Sequence, residues 1–300
     1  MTVNVWDREK KQIIRQKIPM GKALWFLYHT KPGRIVFLRP MHSRFAAALS
    51  GMYMKSRLSA GKIRSFSRAY PPNHQKYEKN TGEYASFNDF FTRKLIAAQE
   101  LVDMSRDILV SPADSQVAVY DIHDGLVVPV KGSRYTLAEL LQNDPAREKY
   151  AGGKCLVFRL APHNYHRYCY PDSGRQSDVV TIKGKLHSVN PIAVHGKIKV
   201  YAQNYRQYVT LHTENFGDVI QMEIGAMLIG KIRNHHMTAR GVKKGMEKGF
   251  FEYGGSAVIL LVREGYVEID PDIAANSTTG METAVGYGEK IGVKIDLPGN

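Results

Sequence analysis

The sequence predicts an α+β fold: a helical, basic N-terminal region followed by a β-rich, mainly antiparallel domain. Three observations lead there. Residues 1–70 hold 15 Lys/Arg against two acids, Asp7 and Glu9, a net +13 of the chain's formal +14. Residues 41–58 carry apolar side chains at helical spacing. From about 108 onward, short β-branched and aliphatic runs are separated by Gly, Asp, Asn and Pro, the pattern of consecutive strands.

Three hundred residues suffice for one large domain or two small ones. The boundary is expected at 84/85, with 1–84 a basic amphipathic region and linker and 85–300 a second domain. Cys155 and Cys169 are the only cysteines, so no disulfide framework is implied and a reducing compartment fits. The first residues carry no apolar h-region and do not read as a signal peptide. No uncharged apolar run reaches the length that spans a bilayer.

Between Lys22 and Arg68 the basic residues are interleaved with Trp25, Phe26, Leu27, Ile35, Val36, Phe37, Leu38, Phe45, Leu49, Met52, Tyr53 and Met54. Pro32-Gly33 and Pro40 break the stretch into short pieces. Apolar faces rimmed by Lys/Arg suit an anionic bilayer surface. A solvated basic face on packed helices would look the same. Nucleic acid is the competing anion, but no nucleic-acid motif is present and none is expected as a partner.

Residues 69–84 read as a linker or long loop. Ser86 or Asn88 can cap a helix running into Phe90-Phe91-Thr92-Arg93. Strands are expected at 108–110, 117–120, 127–130, 156–158, 198–201, 219–224 and 258–262. One helix interrupts them, capped by Thr136 and carrying Leu137, Leu140 and Leu141.

Tyr253-Gly254-Gly255-Ser256-Ala257 precedes the apolar run Val258 to Val262. Gly255 lacks a Cβ, so its carbonyl can be approached closely. The Ser256 hydroxyl can attack the carbonyl of its own preceding peptide bond, given a base and donors for the oxyanion. β-Elimination and loss of ammonia would leave a pyruvoyl group on a new N-terminus. Such a ketone forms a Schiff base with an amine and withdraws electrons from it. A tight turn entering a buried strand is the other reading of the same residues.

Other chemistry-bearing residues are grouped. Ser111-Pro112-Ala113-Asp114-Ser115 ends a strand with a carboxylate, which is also an ordinary Asx turn. Residues 160–174 pack His163, His166, Tyr165, Tyr168, Tyr170 and Cys169 between two prolines. His187 and the pair His235-His236 add imidazoles, but no two of the eleven histidines have zinc-site spacing, and no metal is expected.

These residues carry a family resemblance. The chain resembles the phosphatidylserine decarboxylase proenzymes at Phe90-Phe91-Thr92-Arg93, Ser111-Pro112-Ala113-Asp114, Val130-Lys131-Gly132 with Tyr135-Thr136-Leu137, and Tyr165-His166-Arg167. It continues at Ser188-Val189-Asn190-Pro191, Thr213-Glu214-Asn215-Phe216-Gly217, Gly225-Ala226 with Gly230, and Lys244 to Phe251 leading into Gly254-Gly255-Ser256. The motifs stand in the family's order from about 85 to the C-terminus.

The resemblance implies that 85–300 is a catalytic domain and that the chain cleaves itself between Gly255 and Ser256. Residues 1–255 and 256–300 would stay together as a heterodimer, with further dimerisation left open. The pyruvoyl group formed from Ser256 would be the cofactor, and phosphatidylserine the substrate. Phosphatidylethanolamine and carbon dioxide would be the products, in phospholipid synthesis on the cytoplasmic face of the cell membrane. His166 matches the histidine associated with decarboxylation, where an acid must protonate the carbanion. Asp114 matches the aspartate of the Asp-His-Ser self-cleavage relay.

The chain departs from the family's common pattern at four places. Cys169 stands where the relay histidine is usual, Asn164 for an Asp, Ser115 for a Gly and Ala257 for a Thr. His187 is the substitute candidate for the relay base, with Cys169 as the alternative base. A relative that fails to process itself and only binds anionic lipid is the other functional reading.

Overall fold

The computed structural model describes residues 1–18, 20–38, 44–70, 76–123, 127–130, 133–142, 144–194, 198–227, 231–254 and 256–296. Pro40, Lys131, Gly132, Gly230 and Gly255, singled out above, lie outside the described residues. Among the described residues the main sheet has eleven strands. Its order runs Arg240–Val242, Gly174–Gln176, Arg206–Thr213, Asp218–Gly225, Ser256–Val262, Lys154–Leu160, Ser115–Asp121, Glu282–Val285, Thr2–Asp7, Gln12–Lys17. Val180–Ile182 also pairs with Arg206–Thr213.

The strand Ser256–Val262 sits at the centre of this sheet and every residue in it is buried. Side chains alternate across a strand, so the two faces separate cleanly. Ala257, Ile259 and Leu261 join a core with Leu137, Tyr150, Tyr208 and Met222. Val258, Leu260 and Val262 join a second core with Phe158, Tyr168, Phe216 and Phe251. Both faces are covered, which is why the sequence here is a continuous apolar run rather than an alternating one.

A three-stranded sheet, Ile232–Asn234, Glu247–Phe251 and Arg167–Cys169, packs on the second face through Ile232, Tyr168 and Phe251. The expected helix over 41–58 is present as Arg44–Lys55, followed by Gly61–Ala69. Ser86 is the cap of Phe87–Phe91, accepting from the Asp89 N–H, and Thr136 and Glu139 form a reciprocal capping box on Leu137–Leu141.

The N-terminal region is helical from Gly21, after a hairpin of Thr2–Asp7 and Gln12–Lys17, and Thr2–Asp7 pairs in parallel with Glu282–Val285. Arg8 fixes that hairpin through Asp270, Asp272, Glu289 and the Lys290 carbonyl. Three expectations need correction. Residues 198–201 are not a strand. Val200–Gln203 is a short helix, because Val200 and Tyr201 fill the first core and Asn204 ends the turn in extended backbone. Residues 69–84 are not wholly a loop, since Ala69 closes a helix and Tyr77 bridges to Leu95. The helix of Leu137–Leu141 has company late in the chain, where Pro271 opens Pro271–Thr278.

Candidate active site

Ser256 opens the central strand, paired to Gly225 on one side and Leu160 on the other. It shares a face with Val258, Leu260 and Val262, beneath the three-stranded sheet. Its hydroxyl is buried and has no hydrogen-bond partner among the described residues. Buried hydroxyls are nearly always partnered. An orphan at this position is an exception that calls for an explanation. Gly254 has φ 146°, a backbone that side-chain-bearing residues rarely adopt, so the turn into Ser256 requires glycine there.

Two connections run side by side from the main sheet to the small one. One leads from Leu160 to His166, the other from Phe251 to Ser256. They are tied at one end by the Leu160–Ser256 pair and at the other by the Phe251 N–H donating to the His166 carbonyl at 2.9 Å. The helix Phe87–Phe91 closes the space between them. Phe87 and Phe91 meet the Tyr253 ring edge-on, and Phe91 lies over the His166 ring at 3.8 Å between centroids. Asn88 Oδ1 accepts from the Tyr253 N–H at 2.9 Å.

Arginines lock the frame. Arg93 donates to the His163 and Asn164 carbonyls at 3.0 and 3.3 Å. Arg167 donates to the Thr92 and Arg93 carbonyls and pairs with Glu247 at 2.7 Å. Thus Phe90-Phe91-Thr92-Arg93, Tyr165-His166-Arg167 and the approach to Ser256, far apart in sequence, form one constellation.

His166 is fully buried, and burial holds its imidazole well below the usual histidine range, with the Arg93 charge acting the same way. The ring is therefore neutral. Nδ1 lies 2.8 Å from the Asn164 carbonyl, which assigns the proton to Nδ1 as donor. Nε2 then carries a lone pair, and it has no partner among the described residues. Such a group accepts a proton first and returns it afterwards.

Asp114 lies at the foot of the neighbouring strand. Its carboxylate accepts from Asn164 Nδ2 at 2.7 Å and from the Tyr165 N–H at 2.8 Å. Burial raises its pKa, against those two donors, which lower it. Asn164 Oδ1 in turn accepts from the Ala161 N–H at 2.8 Å and Gln116 Nε2 at 3.2 Å.

His187 stands on the other flank of Ser256. Its N–H donates to Asn204 Oδ1 and its carbonyl accepts from Asn204 Nδ2, both at 2.8 Å. Asn204 Nδ2 also donates to the carbonyl of Gly225, the strand partner of Ser256. The His187 ring meets Tyr28 edge-on at 6.2 Å. The fold therefore brackets Ser256 between Asp114 on the Leu160 side and His187 on the Gly225 side. The Asp114 carboxylate is bonded to Asn164 and Tyr165, not to His187.

Cys169 is fully buried beside Val110, Tyr165 and Tyr287. Its sulfur is 3.8 Å from the Ser111 carbonyl, and burial pushes the thiol up to about 12. It stays protonated at neutral pH. His235 lies at the surface, 2.6 Å from Glu247, and takes no part in this constellation.

Sequence reasoning missed Asn204 and the pair Lys248–Glu223. Lys248 and Glu223 are wholly buried and 2.5 Å apart, with Asn234 bonded to both. Glu223 pairs with Val258 on the face that Ser256 shares. Burial pushes Glu223 up and Lys248 down. The signal available in the sequence was charge in strands otherwise apolar, at Glu223 in Asp218–Gly225 and Lys248 in Glu247–Phe251.

Comparison with known proteins bears on this constellation directly. The family model for phosphatidylserine decarboxylase matches residues 87–293. The chain belongs to the phosphatidylserine decarboxylase family. It is similar to phosphatidylserine decarboxylase proenzyme 2 of Clostridium acetobutylicum, 40% identical over 296 residues that cover 99% of this chain and 100% of the relative. It is also 40% identical over 295 residues to the phosphatidylserine decarboxylase proenzyme of Clostridium tetani, covering 98% of this chain and 99% of that one. The proenzyme of Ruminiclostridium cellulolyticum is 35% identical over 295 residues, with 98% of each chain covered.

Proposed function

We propose that this chain is a self-processing, pyruvoyl-dependent decarboxylase that converts phosphatidylserine to phosphatidylethanolamine and carbon dioxide at an anionic membrane surface. The observation that carries the reading is the partnerless, buried Ser256 hydroxyl at the head of the central strand, in a chain of this family. Residues that would hold a structural serine would bond its hydroxyl; here the site leaves it to react.

In the processing step the Ser256 Oγ bonds to the Gly255 carbonyl carbon as that carbon's bond to the Ser256 nitrogen breaks. The Oγ proton leaves to a base and the nitrogen gains one, giving an ester. Loss of the Ser256 α-proton then expels the Gly255 carboxylate. Hydrolysis consumes water and releases ammonia, leaving the pyruvoyl group on residues 256–300. His187 is the base in this reading, its backbone tied through Asn204 to Gly225, the strand partner of Ser256. Cys169 is not, because a thiol pushed up to about 12 supplies almost no thiolate near pH 7. Asp114 shapes the 161–166 connection through Asn164 and the Tyr165 N–H.

The pyruvoyl group supplies an electron sink for loss of carbon dioxide from the amino-acid head group. His166 moves the proton, at Nε2, to the carbon that the carboxylate leaves. Phe91 and Tyr253 exclude water from its ring. Docking on a membrane surface is supported by the large apolar residues exposed in the N-terminal region. They include Ile35 at 62%, Met52 at 71% and Leu58 at 81% exposed, among Lys/Arg. Among the described residues no helix is long and apolar enough to cross a membrane.

A denaturing gel of purified protein tests the reading. Two chains are expected, the smaller being residues 256–300 with a blocked N-terminus, together with carbon dioxide release from phosphatidylserine. Ser256→Ala should remain one full-length, inactive chain. Two fragments from that variant would overturn the assignment.

A further inference from the structure

A cleft of about 990 Å³ opens between the helix Arg44–Lys55 and the strands beside Ser256. Its charged lining is four cations, Lys55, Lys183, Lys231 and Arg233, and one carboxylate, Glu252. Glu252 is nearly buried and engages Lys55 and Arg233 at 2.9 Å each. Lys183 and Lys231 make no ion pair among the described residues. Both are exposed and line one concavity, which favours an anion there.

The lining adjoins segments that lead to the reactive centre. Glu252 is four residues before Ser256, and Leu186 in the lining adjoins His187. Tyr205, also in the lining, accepts from the Gly225 N–H at 3.0 Å, and Gly225 pairs with Ser256. Tyr205 in the lining is therefore separated from the reactive serine by the strand that carries Gly225. At its mouth stand Met52, 71% exposed, and Met237, 48% exposed.

We propose that this cleft binds a glycerophospholipid head group, with the phosphodiester on Lys183 and Lys231. The amino-acid end points toward Ser256, and the acyl chains leave past Met52 and Met237. A phosphodiester carries one negative charge and takes charge-assisted bonds from ammonium groups. The combination of an unpaired cationic pair and an apolar mouth fits an amphiphile better than a free anion. The inference rests on the proposed phosphatidylserine activity and adds the residues that select its phosphate.

The test is calorimetric titration of full-length Ser256→Ala protein, which cannot turn over, with dihexanoyl phosphatidylserine below its critical micelle concentration. Adding Lys183→Ala and Lys231→Ala together should weaken Kd by about tenfold. Replacing both with Arg should restore most of the affinity. Lys149→Ala, which removes a surface pair with Asp218 away from the cleft, should change nothing. An unchanged Kd in the double Ala variant, or an equal loss in Lys149→Ala, overturns the proposal. Competition identifies the source of the anion. Glycerophosphoserine should displace the lipid at concentrations where inorganic phosphate does not; equal displacement by phosphate makes this a free-phosphate site and overturns the head-group assignment. Processed wild-type protein that binds the lipid in this way yet releases no carbon dioxide would sink the proposed activity and leave the cleft standing.

Discussion

Asn164 Nδ2 donates to Asp114 Oδ1 at 2.7 Å, and the same amide's oxygen accepts from Ala161 and Gln116. An amide suits this place because it donates on one side and accepts on the other, whereas a carboxylate only accepts. Asn164→Asp would set two carboxylates against each other with one donor lost. One of them should then hold a proton well above its ordinary range. A folded-state pKa that is raised gives stability present at low pH and lost as pH rises through it. The variant should be less stable than wild type by about 2 kcal/mol at pH 8 and nearly equal to it at pH 4. Urea unfolding at the two pH values measures this, and a pH-independent difference would refute the contact's role.

His187 and Cys169 can be separated as processing bases. His187→Ala should block or slow the appearance of two chains by at least tenfold. Cys169→Ala should mature normally, since a thiol pushed up to about 12 contributes no base at neutral pH. A time course on denaturing gels reads both. Normal maturation of His187→Ala with arrest of Cys169→Ala would reverse the assignment.

His163 packs its ring on Tyr70 at 5.0 Å, and burial, with Arg159 and Arg93 nearby, lowers its pKa to about 4. The unfolded chain holds that proton near pH 6.5. A lowered folded-state value gives stability present above about 6.5 and lost as pH falls toward about 4. His163→Gln removes the titration. Between pH 7 and pH 4.5 its stability should fall less steeply than that of wild type. Parallel stability curves for the two proteins would contradict the assignment.

The N-terminal region should bind anionic vesicles in two separable parts. Residues 1–70 carry a net +13, and that part should weaken as salt rises, because the Debye length falls to about 3 Å at 1 M. The apolar part should survive salt. Trp25→Ala with Phe26→Ala, both rings being exposed, should lower the residual binding by severalfold in co-sedimentation. Equal binding to neutral and anionic vesicles at low salt would remove the electrostatic part.

Much of the local structure around Ser256 was legible in the sequence. Gly254-Gly255-Ser256 ahead of the run Val258 to Val262 fits a turn into a strand buried on both faces, because a short apolar run bounded by glycines suits such a strand. The capping positions Ser86 and Thr136 are local signals, readable because a cap and its partner lie within three residues. Eight motifs in order carry the family. The pairing of Ser256 with Gly225 and Leu160 was not legible, nor was the hairpin at Thr2–Asp7 that reaches across the chain to Glu282–Val285. Those contacts join residues tens to hundreds of positions apart, and no local propensity encodes them. Position 114 shows the division most sharply. The sequence supplies an aspartate at the end of a strand; the tertiary structure alone assigns its two oxygens to Asn164 and the Tyr165 N–H, because the fold carries those donors, 50 and 51 residues further along the chain, onto the carboxylate.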